Sequence, residues 1–471
     1  MVEDGAGERV SSVLRSARPL AQVMRHPLWC GPEDPVREVA RVIGESGASC
    51  ALFRQDDRIG IVTDHDFRAR VATGEVSLDA PVSDAATQPV LTIPHGDTVS
   101  DALLRMLDHG VHHLVVTDPA GTPVGVVRVV DIASAEVSDP IRLRSAIGSA
   151  RSAEDLAPAG RSLPATIAGL REAGVPALQV GAIQATIVDA LLTQAVALHP
   201  LFEEADPSWL VLGSLARREP LPGSDLDTAM LWADREPDPG PELRAAADEV
   251  LDLLAGCGLV PCPHVTSASN PRFGRSRSAW IGAVREWVVE PSQPDALMLA
   301  AMVIDSRPVT NIALGAELST AVTRLNPTTA YRREILDAAL AWRPSTGVLR
   351  PFALRQGQFD LKRGGLAPIV ALGRWAGLAT VDTTGSTIDR LQRAARAGLL
   401  SPDERDTLVR GFEHIYTLLY DREVRAIRDG TPITTHVRPS DLGSLDRRHL
   451  RDTLRAVGRV QVRVAQPYRS S

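Results

Sequence analysis

The chain has 471 residues, 44% hydrophobic and 23% charged, enough for about three domains that each bury a core without disulfides. A formal net charge of −7 gives polyanions no general attraction, so no nucleic-acid partner is expected. Four cysteines (Cys30, Cys50, Cys257, Cys262) are too few for a disulfide framework, and MVEDGAGERVSS lacks the basic-then-apolar order of a secretion signal, so the expected location is cytoplasmic.

Residues 1–17 are expected to be a disordered arm. Two similar stretches follow, VMRHPLWCGPEDPVREVARVIGESGASCALFRQDDRIGIVTDHDF and AATQPVLTIPHGDTVSDALLRMLDHGVHHLVVTDPAGTPVGVVRVVDI. Each runs from a proline-containing turn to an acidic cap (Asp34, Asp97), an amphipathic helix, a β-branched strand, a polar turn and a second strand ending in Asp66 or Asp131. A repeat of about 63 to 65 residues implies two copies of one supersecondary unit, each burying its open face on the other.

These copies resemble a tandem pair of cystathionine-β-synthase-type (CBS) domains over roughly residues 18–140. The motif that carries the likeness is Gly60-Ile61-Val62-Thr63-Asp64-His65-Asp66. The resemblance implies an adenine-nucleotide site in which Asp66 binds ribose and Thr63 helps hold phosphate, and a homodimer formed through the pair. The second copy departs from the motif, with Arg128 in place of the hydroxyl residue ahead of Asp131. That leaves a cationic phosphate contact or a site filled by its own side chain.

From about 141 to 205 apolar residues recur at helical spacing. The longest apolar stretch, LQVGAIQATIVDALLTQAVAL, contains Gln179, Gln184, Asp189 and Gln194, which hydrocarbon would not tolerate; it is expected to be a buried or amphipathic helix, with no membrane partner. Residues 206–315 alternate strand-like and helix-like pieces, and 316–465 read as a helical bundle. The expected class is α+β in three parts: CBS domains over 18–140, a mixed domain with a helical lead-in over 141–315, and the helical region.

The stretch VLGSLARREPLPGSDLDTAML carries the chemistry. In a strand Asp225 and Asp227 share one face while Leu226 points into the core. At an effective dielectric of about 20, two such charges about 5 Å apart repel by roughly 3 kcal/mol, so stability does not explain the pair. A hard divalent cation, Mg²⁺ or Mn²⁺, would convert the repulsion into binding. Gly213 lets a ligand approach the backbone, and SLARRE can open a short helix whose free N–H groups favour phosphate.

Gly213-Ser214, ten residues and then Asp225-x-Asp227 resemble the motif of the DNA-polymerase-β-like nucleotidyltransferases. That superfamily's third carboxylate falls best on Asp305 in LMLAAMVIDSRPV, with Asp295 as fallback. With CGLVPCPHVTSASNPRF and GQFDLKRGGLAPIVALGRWAGL, the chain is similar over about 18–460 to bacterial proteins that join CBS repeats to a nucleotidyltransferase domain related to protein-PII uridylyltransferases, followed by a helical substrate-binding domain. The resemblance implies transfer of a nucleoside monophosphate from an NTP to an acceptor hydroxyl. Asp225, Asp227 and Asp305 would hold the metal, and Ser214 would contact phosphates. The acceptor would be a protein or a small molecule, with adenine nucleotide as effector. The alternative is a catalytically silent nucleotide sensor.

The family's glycine-rich first motif is altered here to Ala216-Arg217-Arg218, and Arg217 or Arg218 could neutralise phosphate or face solvent. Arg272, Arg275 and Arg277 form a second basic cluster, either a phosphate contact or a surface loop. Cys257, Cys262 and His264 lack the paired ligand spacing of a zinc site. His65-Asp66 imitates a metal-binding dipeptide but lies inside the first CBS motif and has no partner histidines at suitable spacing. Asp360 and Lys362 are candidates for an acceptor loop.

Overall fold

The computed structural model describes residues 19–56, 58–129, 140–263, 266–293, 295–325, 327–344 and 358–469. The N-terminal arm, Asp131 and His264 lie outside the described residues. Contacts divide the chain into two units, Met1–Val137 with Ala173–Val175, and Ser138–Glu172 with Pro176–Ser471.

In the first unit, strand β1 (Cys50–Gln55) pairs antiparallel with β2 (Arg58–Thr63). Alternation sends Ala51 and Phe53 to one side, where they pack with Val36, Val39 and Ile43 of the helix Val36–Ser46. Cys50 and Leu52 go to the other side and, with Ile61, meet Val115 and Val126 of the second copy. Those residues sit on β4 (His113–Thr117) and β5 (Pro123–Arg128), an antiparallel pair, while β3 (Thr92–Pro94) runs parallel to β4. Each copy therefore closes the other's open face, as the repeat implies. Gly60 is required at its place because a Cβ there would lie 2.2 Å from the Phe53 ring.

The expected acidic caps are corrected. Thr98, not Asp97, caps the helix Val99–His109, in a capping box with Asp101. Asp34 instead accepts the Gly31 N–H at 2.7 Å and ties the turn before its helix.

In the second unit, β6 (Ser208–Leu212) is buried at every position, as expected of a central strand. The short β7 (Asp225–Leu226) leads into β8 (Thr228–Trp232), and β9 (Val260–Pro261) runs parallel to β7. With β10 (Gly274–Ser276) and β11 (Ser306–Pro308), the main sheet has the order β10-β8-β6-β11. Trp209, Trp232 and Trp280 are fully buried in this unit.

The helix Ala177–Ala197 is long and apolar enough to cross a membrane by length and composition, yet most of its residues are buried within the unit. Three of its four polar interruptions, Gln184, Asp189 and Gln194, meet protein partners, while the buried Gln179 Oε1 has none among the described residues. Asp189 takes two hydrogen bonds from Arg307 at 2.8 and 2.9 Å, and Gln184 bonds the Leu221 carbonyl and the Tyr420 hydroxyl.

The run LMLAAMVI forms the helix Ala296–Ile304, so Asp305 stands at a helix C-terminus just before β11 rather than on a strand. The expected helical bundle is present as Thr329–Ala341, Ala367–Ala379, Thr387–Arg396, Pro402–Arg428 and Ser444–Arg469. Ser386 with Asp389, and Ser401 with Glu404, form capping boxes at two of their starts.

Candidate active site

The alternation of β7 decides the geometry of the acid pair. Leu226 is buried, while Asp225 and Asp227 are both half-buried and share the opposite face. Their carboxylates converge with the Cys262 thiol, one ligand atom from each lying within 4.8 Å of the other two. Parallel pairing explains the third member: Asp225 is in register with Val260 and Leu226 with Pro261, so the next step places Cys262 beside Asp227. Two carboxylates and a sulfur form a donor set that fits a divalent cation.

Gly213 closes one side of this group. Its φ of +61° is in the left-handed region that glycine adopts without strain. A Cβ there would stand 3.7 Å from Asp227 Oδ2, and its N–H donates to the Asp305 carbonyl at 2.8 Å. Ser214 follows in a single helical turn, Gly213–Ala216, so the expected phosphate cradle is shorter than a full helix N-terminus.

Asp305 is a correction to the sequence reading. Its carboxylate, 1% exposed, is absent from the Asp225–Asp227 group and is taken up by three guanidinium groups. Arg217 Nη1 and Arg374 Nη2 donate to Oδ2 at 2.5 and 2.6 Å, and Arg390 Nη1 donates to Oδ1 at 2.5 Å. Burial alone would raise its pKa, but the charges of Arg374, Arg217 and Arg390 hold it well below the ordinary carboxylate value. A carboxylate so occupied is an anchor for arginines, not a cation ligand.

Arg217 is corrected with it. It is buried and divided between Asp305 and Glu219, the latter at 3.0 Å, so it takes neither of the two places left open for it, a direct phosphate contact or a solvent-facing position. Glu219 accepts from the Thr387 N–H and hydroxyl, and burial pushes its pKa up despite Arg217. Arg218 donates to the Thr186 hydroxyl at 2.9 Å. Three guanidinium groups against two carboxylates nevertheless leave surplus positive charge behind the Gly213 turn.

The other basic cluster also finds protein partners. Arg272 pairs with Asp295 at 3.3 Å, Arg275 lies over Trp280 and Trp287, and Arg277 pairs with Glu317 at 2.7 Å. Asp295, the fallback third acid, is half-exposed in that pair and is absent from the Asp225–Asp227 group. Cys257 is fully buried and its thiol is pushed up by burial, a core residue.

Near the acid pair, the Gly223 N–H donates to Glu423 at 2.8 Å, and Lys362 lies close enough to lower the burial-raised pKa of Glu423. Lys362 follows β12 (Phe359–Asp360), which pairs with β13 (His436–Val437). A cavity of about 520 Å³ opens beside it, lined by Trp342, Arg343, Asp360 and Arg363.

In the first unit Thr63 and Asp66 are bound to each other: the Thr63 N–H and hydroxyl donate to Asp66 Oδ2 at 2.8 and 2.7 Å. Arg128 reaches the Ser49 hydroxyl at 3.4 Å, and Ser49 also bonds His113 Nε2 at 2.8 Å. The second copy's cation thus turns toward the first copy.

A paired-acid strand beside a glycine turn, a helical bundle and a separate CBS unit define a CBS-coupled nucleotidyltransferase architecture. Family models match residues 20–73 and 82–138 as "CBS domain", 161–294 as "Putative nucleotidyltransferase DUF294", and 329–468 as "Putative nucleotidyltransferase substrate binding domain". The chain belongs to the family that joins a CBS pair to a DUF294 nucleotidyltransferase domain and its substrate-binding domain.

Among curated relatives, an uncharacterized protein of Methanocaldococcus jannaschii is 40% identical over 74 residues, 16% of this chain and 18% of its own length. One of Methanopyrus kandleri is 28% identical over 121 residues, 25% of this chain and 62% of its own length. The chain therefore spans less than two thirds of either. A CBS domain protein of Pyrobaculum aerophilum, solved in complex with AMP, is 26% identical with a TM-score of 0.23, covering 24% of this chain and 88% of that one.

Proposed function

We propose that this chain transfers a nucleoside monophosphate from an NTP to an acceptor hydroxyl, with Asp225 and Asp227 as its metal-holding carboxylates. The observation that carries the reading is their convergence on one face within 4.8 Å of each other, a like-charge arrangement that a bound divalent cation would turn into binding. A divalent ion held there, Mg²⁺ or Mn²⁺, would supply charge neutralisation for the triphosphate and the attacking oxygen. Gly213 leaves room for phosphate oxygens at the turn, Ser214 offers its hydroxyl, and the surplus charge of Arg217, Arg374 and Arg390 attracts the polyphosphate from behind. The acceptor oxygen forms a bond to the α-phosphorus as the α–β anhydride breaks. Pyrophosphate leaves and the hydroxyl proton passes to solvent. Alignment and electrostatics carry the catalysis.

The cavity beside Trp342 and Lys362 is the proposed acceptor side, and a protein acceptor is the favoured class. The CBS pair is proposed to bind adenine nucleotide through Thr63, Asp66 and Arg128, to regulate transfer, and to form a homodimer in the cytoplasm. Full-length chain incubated with labelled NTPs, Mg²⁺ or Mn²⁺ and cell extract should move label onto a macromolecule. Label in the low-molecular-weight fraction would point to a small-molecule acceptor. Full transfer by the double variant Asp225→Asn, Asp227→Asn would overturn the reading.

The withdrawal of Asp305 into the arginine cluster favours a second reading, a nucleotide sensor without turnover. Nucleotide binding with no label moved to any fraction would establish it.

A further inference from the structure

We infer that Cys262 is the third ligand of the Asp225–Asp227 metal site, so that the site prefers a thiophilic or borderline divalent ion, Zn²⁺ or Co²⁺, over Mg²⁺. This rests on the reading of Asp225 and Asp227 as metal-holding residues and specifies what that site takes.

Two features place the thiol, and a third removes its rival for the position. The parallel register of β7 and β9 brings Cys262 level with Asp227, and its ligand atom joins both carboxylates within 4.8 Å. Pro261 and Pro263 flank it, and the following proline disfavours helical backbone at Cys262, which narrows the conformations the segment can take. Asp305, the carboxylate expected to complete the set, is occupied by three arginines. The remaining cysteines serve other roles. Cys257 and Cys50 are buried, and Cys30 donates to the Leu52 carbonyl at 3.6 Å.

Donor chemistry then sets the preference. Mg²⁺ demands an octahedron of oxygens and binds sulfur poorly, whereas Zn²⁺ and Co²⁺ accept mixed sulfur and oxygen sets. Binding releases the thiol proton to solvent: Cys–SH plus the dication gives the sulfur–metal bond and one proton, with no change of oxidation state.

The test is a Co²⁺ titration of the full chain, read by near-ultraviolet absorption from sulfur-to-cobalt charge transfer and by calorimetry with Zn²⁺ and Mg²⁺. The wild type should develop the band at one equivalent. Cys262→Ser should lose the band and bind Zn²⁺ at least about tenfold more weakly, the loss that even an outer-shell partner of a ligand causes, with Mg²⁺ affinity unchanged. Cys262→Asp should lose the band and gain Mg²⁺ affinity, while Cys257→Ala keeps the band. Circular dichroism establishes that each variant is folded. Co²⁺ binding without a thiolate band, or a Zn²⁺-to-Mg²⁺ ratio unmoved by both Cys262 variants, overturns the inference. Asp225→Asn separates the two ideas: if it abolishes metal binding while Cys262→Ser leaves the metal preference intact, only the thiol assignment fails. If Asp225→Asn leaves both binding and transfer untouched, the parent reading fails as well.

Discussion

Two aspartate sites in the second unit share a residue type and an apolar neighbourhood, and they have opposite electrostatic fates. Asp225 and Asp227 stand half-buried on a short strand, aimed at each other and at Cys262. Asp305, also next to an apolar run, is buried and surrounded by Arg217, Arg374 and Arg390. The difference shows that a carboxylate's role is set by what reaches it in space. One site accumulates negative charge and so invites a cation, while the other uses its charge to fasten arginines from two C-terminal helices onto the nucleotidyltransferase sheet.

The sharpest way to break this contrast is to neutralise each site in turn. Asp225→Asn with Asp227→Asn should lower transfer by roughly a thousandfold, the scale of losing a preorganised electrostatic contact at the reacting centre. The melting temperature should move far less than activity does, because both side chains are only half-buried and stand outside the hydrophobic core. A matching fall in stability would mean the pair is structural.

Asp305→Asn should do the reverse. Removing one partner from a buried ion cluster typically costs about 3–5 kcal/mol, and here three guanidinium groups lose their shared counter-charge. Denaturant unfolding is the measurement, and the residual folded enzyme should still bind metal. The pH dependence follows from the depressed pKa of Asp305, where burial opposes and the three arginines prevail. The unfolded chain takes up its proton first, so the contribution is complete above the ordinary value near 3.8 and is lost as the pH falls through the lower folded value. The deficit of the variant should therefore be constant from pH 5 to 8 and close only in strong acid.

How much of this was legible in the sequence depends on range. The CBS repeat and the acid pair were readable because their signals are local: alternation along a strand, or similar elements at a fixed spacing. Thr98 was missed as a cap because Asp97 is as good a candidate by residue type, and only backbone geometry separates them. Asp305 was misread because Arg374 and Arg390 come from helices far along the chain, and nothing near LMLAAMVID announces them. Cys262 was weighed against Cys257 and His264, its sequence neighbours, whereas its partners come from the adjacent parallel strand.

A smaller effect probes the outer edge of the arginine cluster. Thr387→Val keeps the side-chain shape but removes the hydroxyl that donates to Glu219 at 2.8 Å. A hydrogen bond to a charged group is worth about 1.5–3 kcal/mol, and the retained Thr387 N–H softens the loss toward the lower figure. Burial raises the folded pKa of Glu219, so the favourable part of its own titration is complete below its unfolded value and is lost as pH rises. The lost hydroxyl favours the ionised form, so without it the folded pKa rises further and the variant's deficit should grow as pH climbs through that raised value, a range in which the Asp305 deficit is already flat.

Gly213 is the residue where the two sites touch, and its substitution should have the smallest effect. Its N–H holds the Asp305 carbonyl, while its Cα faces the Asp227 carboxylate. Gly213→Ala meets no steric obstacle, since the new methyl group would lie 3.7 Å from Asp227 Oδ2, an ordinary contact. What it meets is the positive φ, which costs an L-residue about 1–2 kcal/mol. Unfolding should record a loss at the low end of that figure and metal affinity should not change, because no ligand moves. The methyl group does occupy the space through which phosphate oxygens approach the turn, so the KM for NTP should rise while kcat holds. A fall in metal affinity instead would mean that the backbone at Gly213 positions Asp227, and that the two carboxylate sites are mechanically coupled through this one residue.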